Sequence, residues 1–159
     1  MRFSGLIRSG CGWLAVWSLL AVTACTRDSE ESTPVRTLEQ YVRTSFQATG
    51  IQDKRVMESL LTGDTRSRLE AWNDEQFQRA FVDQKKTFKE LKILENRKVS
   101  PQEVILVYEL SYHQGPQDKG VRITQRKLGT LVREQADWKI KEVRSIRESI
   151  EYLEELSLP

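Results

Sequence analysis

The stretch that decides the fold is EVILVYELSYH, Glu103 to His113. Val104, Leu106, Tyr108, Leu110 and Tyr112 fall on alternate positions, the period of a strand with one face turned to a core. On its N-terminal side, Ser100-Pro101-Gln102-Glu103 has turn chemistry, and before it Leu91 and Ile93 alternate with charged residues as a half-buried strand does. On its C-terminal side, QGPQDKG is a loop, followed by a third strand with Val121 and Ile123. The apolar phase then moves to Leu128 and Val132, so Gly129 is expected to mark a bulge. EQAD turns the chain into WKIKEV, a fourth strand on which Trp138 and Ile140 share a face. Beyond it Ile146, Ile150, Leu153 and Leu156 recur at helical spacing, which predicts a C-terminal helix from about residue 146.

The segment before the strands has a different period. Thr33-Pro34 reads as an N-cap followed by proline at the first helical position, and Leu38, Tyr41, Val42, Ser45 and Phe46 make an apolar stripe ended by Gly50. Asp53 is placed to cap a second helix carrying Val56, Met57, Leu60 and Leu61, closed by Gly63. Asp64 opens a short helix with Leu69 and Trp72. Asn73 with Gln76 three residues on is a capping box, opening a helix with Phe77, Ala80 and Phe81. Helices first and a strand meander after them give an α+β class: N-terminal helices packed on a curved, mainly antiparallel sheet of about four strands, cone-like, with a C-terminal helix.

In this order and pattern, residues 34–145 resemble the nuclear transport factor 2-like superfamily, closest to its small bacterial lipoprotein members. The resemblance rests on the helix TLEQYVRTSFQATG, the second helix ending SLLTGD, the strand EVILVYEL and the late DWKIKEV. It implies a cystatin-like cone in which the last segment gives a tryptophan and an aliphatic residue to the closed side. The superfamily includes isomerases and dehydratases with an acid or base inside the cone, but no such residue carries over to a position here.

Tyr108 and Tyr112 are the hydrogen-bond donors on the inward strand face, and Gln125, Thr130 and Trp138 are placed near them. No carboxylate is expected in phase with the tyrosines, since Glu109 falls on the opposite face. A proton-transfer site needs a base within reach of its substrate, and the expectation is therefore no catalytic residue. Tyrosines on an apolar strand face are more often core than site. His113, the single histidine, reads as an exposed residue at a strand end, and no cofactor or metal site is expected. Arg122, Arg126, Lys139 and Lys141, with Arg133 and Arg144, fall on neighbouring strands as a basic outward face. Such a strip fits anionic lipid or an acidic partner, although a solvated face screened by glutamates is the plainer reading.

The other informative stretch is LLAVTACTRDSEESTP, Leu19 to Pro34. Arg2 and Arg8 precede an apolar run from about Cys11 to Ala24, shorter than the ~20 residues of a spanning helix, which describes an export signal. Val22-Thr23-Ala24-Cys25 resembles the bacterial lipobox, implying cleavage between Ala24 and Cys25 and acylation of Cys25. A disulfide would have to use Cys11, inside the removed segment, and a catalytic thiol would need a nearby base. The whole chain carries a formal charge of +2, but both arginines leave with the signal, so the remainder balances at zero. Net basicity therefore gives no reason to expect nucleic acid.

These readings divide the chain into a signal peptide (1–24), the lipidated Cys25 with a polar tether (25–33), and one domain (34–159). Eight tether residues, Thr26 to Thr33, reach roughly 25–30 Å when extended. The expected role is a non-catalytic binding or scaffolding module in the cell envelope, engaging an envelope protein, with a homodimer compatible. The alternative is a cone that takes a small hydrophobic ligand near Tyr108 and Tyr112, as carrier or enzyme. Thr26, rather than aspartate, resembles an outer-membrane address facing the periplasm where the host is Gram-negative.

Overall fold

The computed structural model describes residues 32–115 and 120–152. The signal segment, Cys25 and most of the tether lie outside the described residues, as do Leu153 and Leu156. Four helices come first: α1 (Pro34–Gln47), α2 (Ile51–Leu60), α3 (Gly63–Glu70) and α4 (Asp74–Phe77), the last continuing into a π-helical turn, Gln78–Val82. Four strands follow: β1 (Lys86–Ser100), β2 (Glu103–Gln114), β3 (Val121–Glu134) and β4 (Asp137–Tyr152). They pair in sequence order, each antiparallel to the next, and the helices pack on the curved sheet they form. The fold is α+β.

Local chemistry accounts for the helix starts. Thr33 accepts from Arg36 N at 3.2 Å with Pro34 beside it, and Asn73 and Gln76 exchange bonds of 2.9 Å with each other's backbone, as their sequence spacing predicts. Asp53 works differently from the expectation. Helix α2 begins at Ile51, and from its third residue Asp53 accepts from Thr49 N at 2.7 Å and Gly50 N at 3.3 Å. These bonds, that from Thr49 above all, hold its carboxyl below the usual range. Gly50 thus leads into α2, while α1 has already ended at Gln47. Gly63 opens α3 with φ of +57°, a conformation that a side chain disfavours.

The C-terminal helix expected from residue 146 is not there: β4 continues as a strand to Tyr152. Its far half pairs with β3 from Arg126↔Arg147 to Val121↔Tyr152, and that ladder satisfies backbone groups that a helix would have satisfied internally. A spacing of four, Ile146 to Ile150, is even as well as helical, so it fits either period. Ile146 itself is a bulge residue, skipped in the register between Arg147 and Ser145. Lys141 is skipped likewise between Glu142 and Ile140. Between β3 and β4 the bulges therefore belong to β4, and Gly129 pairs regularly with Leu106. The inward face of β3 runs without a phase shift through Ile123, Gln125, Lys127, Gly129 and Leu131.

The core lies between this face and the helices. Leu38 and Val42 of α1, Met57 of α2, Leu69 of α3 and Phe77 of α4 meet Val104, Leu106, Leu131 and Ile140 from the sheet. Leu61 forms a parallel bridge to Ile140, and the Thr65 hydroxyl donates to Lys141 O at 2.7 Å, so the α2–α3 segment covers part of the free edge of β4. Lys54 is the charged residue drawn inside, 8% exposed. Its ammonium donates to Trp72 O at 2.6 Å and Glu70 O at 3.4 Å, with Glu58 at 3.6 Å. It satisfies carbonyls at the end of α3, where a cation also suits the helix dipole. Lys54→Met keeps the stem and strands those carbonyls. The expected loss of stability is about 1–3 kcal/mol by urea denaturation, and an unchanged midpoint would show the bonds to be dispensable.

Candidate functional site

The space between helices and sheet is not filled throughout. Between α1, the α3–α4 region and β2–β4 lies a cavity of about 570 Å³, within the range of small-molecule sites. Tyr41 and Phe46 of α1, Trp72 and Phe81, and Tyr108 and Tyr112 of β2 supply its aromatic wall. Phe46 packs against Phe88 and Tyr112 with centroids 5.7 and 5.4 Å away, and Phe81 lies 5.9 Å from Trp72. Gly129 packs beside Tyr108, where a Cβ would make ordinary contact with the ring at 3.5 Å.

The register sets the polar groups. Tyr108 pairs with Lys127 and Leu110 with Gln125, so Lys127 and Gln125 share the face that carries the tyrosines. Lys86, at the start of β1, sits with its ammonium 5.6 Å above the Tyr112 ring. Arg68, Glu142 and Arg144 complete the charged lining, with Glu142 and Arg144 paired at 2.9 Å. Burial lowers the ammonium pKa of Lys86 and of Lys127, and Lys127 feels Glu148 and Lys86 in turn. Burial raises the phenols of Tyr41, Tyr108 and Tyr112, keeping them neutral donors at ordinary pH. Tyr108 and Tyr112, only 2% and 6% exposed, have no hydrogen bond to another described residue.

Among the described residues no cluster of histidine, cysteine and carboxylates is arranged to hold a metal ion. No described helix is long and apolar enough to cross a membrane.

No protein-family model and no curated protein sequence matches the chain. Several solved structures are similar. One of them is the solution structure of a SEC-C motif containing protein from Rhodopseudomonas palustris, with a TM-score of 0.52, 9% identity, and 72% of this chain and 80% of that one covered. At that identity the likeness is one of fold alone.

Of the residues singled out from sequence, Tyr108, Tyr112 and Gln125 meet in the cavity. Trp138 does not line it. It is 9% exposed in the core beneath the start of α1, where its carbonyl accepts from the Thr37 hydroxyl at 3.3 Å. Thr130 is buried but faces away from the tyrosines. A carboxylate does come into phase with Tyr108 and Tyr112, contrary to expectation: Glu148 pairs with Gln125 across β3–β4 and accepts from its amide. It was hidden in a segment read as helix. Lys127 was hidden too, because a bulge at Gly129 would have put it out of phase.

The basic outward face is divided into pairs. Arg122 meets Glu151 at 3.5 Å and Arg126 meets Glu109 at 3.3 Å. Lys139 donates to Ser59 O at 2.7 Å and lies 3.7 Å from Asp137, while Lys141 is exposed at its bulge. His113 lies at the end of β2 as expected but is half-buried rather than exposed, its Nε2 without a hydrogen-bond partner among the described residues. Desolvation, then Lys89 and Arg122, lower its pKa and favour the neutral ring.

Proposed function

We propose that the chain is an exported lipoprotein, acylated at Cys25, whose nuclear transport factor 2-like domain holds a small molecule at the membrane surface. One observation carries the ligand-holding half of this reading: a cavity of about 570 Å³ walled by aromatic rings lies between helices and sheet, where a scaffold acting through its surface needs only packed side chains. Phenols on its wall with no hydrogen-bond partner among the described residues give the occupant donors to meet. The polar lining is mostly donors and cations, and its one carboxylate, Glu142, is tied to Arg144. That composition suits holding a molecule better than abstracting its proton. The anchor is argued from sequence alone, from the lipobox-like VTAC and the polar stretch behind it.

The processed protein, extracted from its native envelope in mild detergent, should carry a co-purifying small molecule in native mass spectrometry. Ser45 on α1 faces the cavity, and Ser45→Trp fills it. The expected result is loss of the extra mass in that variant while its circular dichroism is unchanged. An empty wild-type domain bound instead to another protein would return the function to the surface.

A further inference from the structure

The charges around the cavity do not balance. Four cations line it, Arg68, Lys86, Lys127 and Arg144, against the single carboxylate of Glu142, which Arg144 already engages. Neither the Lys86 nor the Lys127 ammonium has an ion pair or hydrogen bond to any described residue. The nearest compensation for Lys86 is the Tyr112 ring, 5.6 Å from the ammonium, a weaker partner than a carboxylate. Glu148 acts on Lys127 from β4, yet no salt bridge joins them, and the Gln125 amide holds the carboxylate. Two half-buried ammonium groups near each other, with no salt-bridge partner among the described residues, are unfavourable for the empty fold. Packing gives no reason for them, since methionine would fill the same space.

We propose that the occupant is a small amphipathic anion, its apolar body against Trp72, Phe81 and Phe46 and its carboxylate or phosphate head held by Lys86 and Lys127. The tyrosine hydroxyls add neutral donors to the same head, and Arg68 lends positive charge at the rim. An anion so placed supplies what both lysines lack, and charge-assisted bonds are about twice as strong as neutral ones. This inference rests on the ligand-holding reading and adds the charge of the ligand to it.

Decanoate, decyl phosphate and decan-1-ol share one apolar body and differ in the head, so calorimetric titration of the processed, delipidated protein separates the two claims. At least one of the anions should bind about tenfold or more tightly than the alcohol, a factor worth about 1.4 kcal/mol. The better anion identifies the head as carboxylate or phosphate. In the double variant Lys86→Gln/Lys127→Met the preference should fall to about unity while alcohol binding changes less than about twofold. Lys86→Arg with Lys127→Arg, which keeps both charges, should retain a preference for the anion. Lys127→Met should also melt higher than the wild type when empty, as removal of a functional but destabilising group does. Alcohol binding equal to the anions would overturn the charge inference and leave the cavity reading standing. Binding of none of the three, with the fold intact, would overturn both.

Discussion

Phe77→Ala lowers the stability of the domain by about 3–5 kcal/mol. Phe77 is 1% exposed, the largest side chain sealed inside, and it stands on a helix only four residues long. Such a helix has little stability of its own and is held by the ring it buries. The Phe77 ring lies 5.0 Å from that of Phe81, and Phe81 in turn lies 5.9 Å from Trp72, so one buried residue props the aromatic wall of the cavity. Truncation removes that support along with the apolar area. Small domains hold about 5–15 kcal/mol in total, and the variant keeps a narrow margin. Guanidinium titration measures the loss. A cost under about 1 kcal/mol would mean that α4 is not packed as described. Ligand binding should weaken in the same variant even under conditions where it stays folded.

How much of this was legible beforehand differs from element to element. Strand β2 was readable because every second residue is buried, without a break, from Val104 to Tyr112. The Asn73–Gln76 box was readable because its chemistry is local. The tail was not, since the partner that makes it a strand, Val121–Arg126, is more than twenty residues away and leaves no mark on its apolar spacing. Lys127 and Glu148 were lost with that error, one through a bulge placed on the wrong strand and one through a helix that does not form. The cavity was illegible for a further reason. Tyr108 and Tyr112 give the same alternating pattern whether their rings meet side chains or an open space, and only the positions of α1 and the α3–α4 region distinguish the two.

Cys25→Ala should have the largest effect in the cell. If Cys25 is the acylation site, the variant accumulates as a full-length precursor, takes up no labelled fatty acid, and is absent from the membrane fraction as a processed form. The effect is all-or-none because two acyl signals give stable anchoring where a single chain holds only marginally. Replacement removes the thiol on which the modification depends. Cys11 offers no substitute: Arg8-Ser9-Gly10 precedes it, with no aliphatic residue at the required place. Normal labelling of the variant would sink the anchor. The folded domain should be indifferent, since the cysteine lies nine positions ahead of Pro34, where α1 begins.

The bond from Thr37 to Trp138 and the bridge from Leu61 to Ile140 tie the first helices to the last strand, the former across 101 positions of chain. Contacts of such separation close late, because the entropy of a long loop must be overcome before they return anything. The helices can form early and meet β1 to β3, but their ties to the last strand wait until β4 has been synthesised and has found β3. Folding of this domain is therefore set by its slowest, most distant meeting, and a ribosome-bound chain that stops before Asp137 remains unfinished however long it waits.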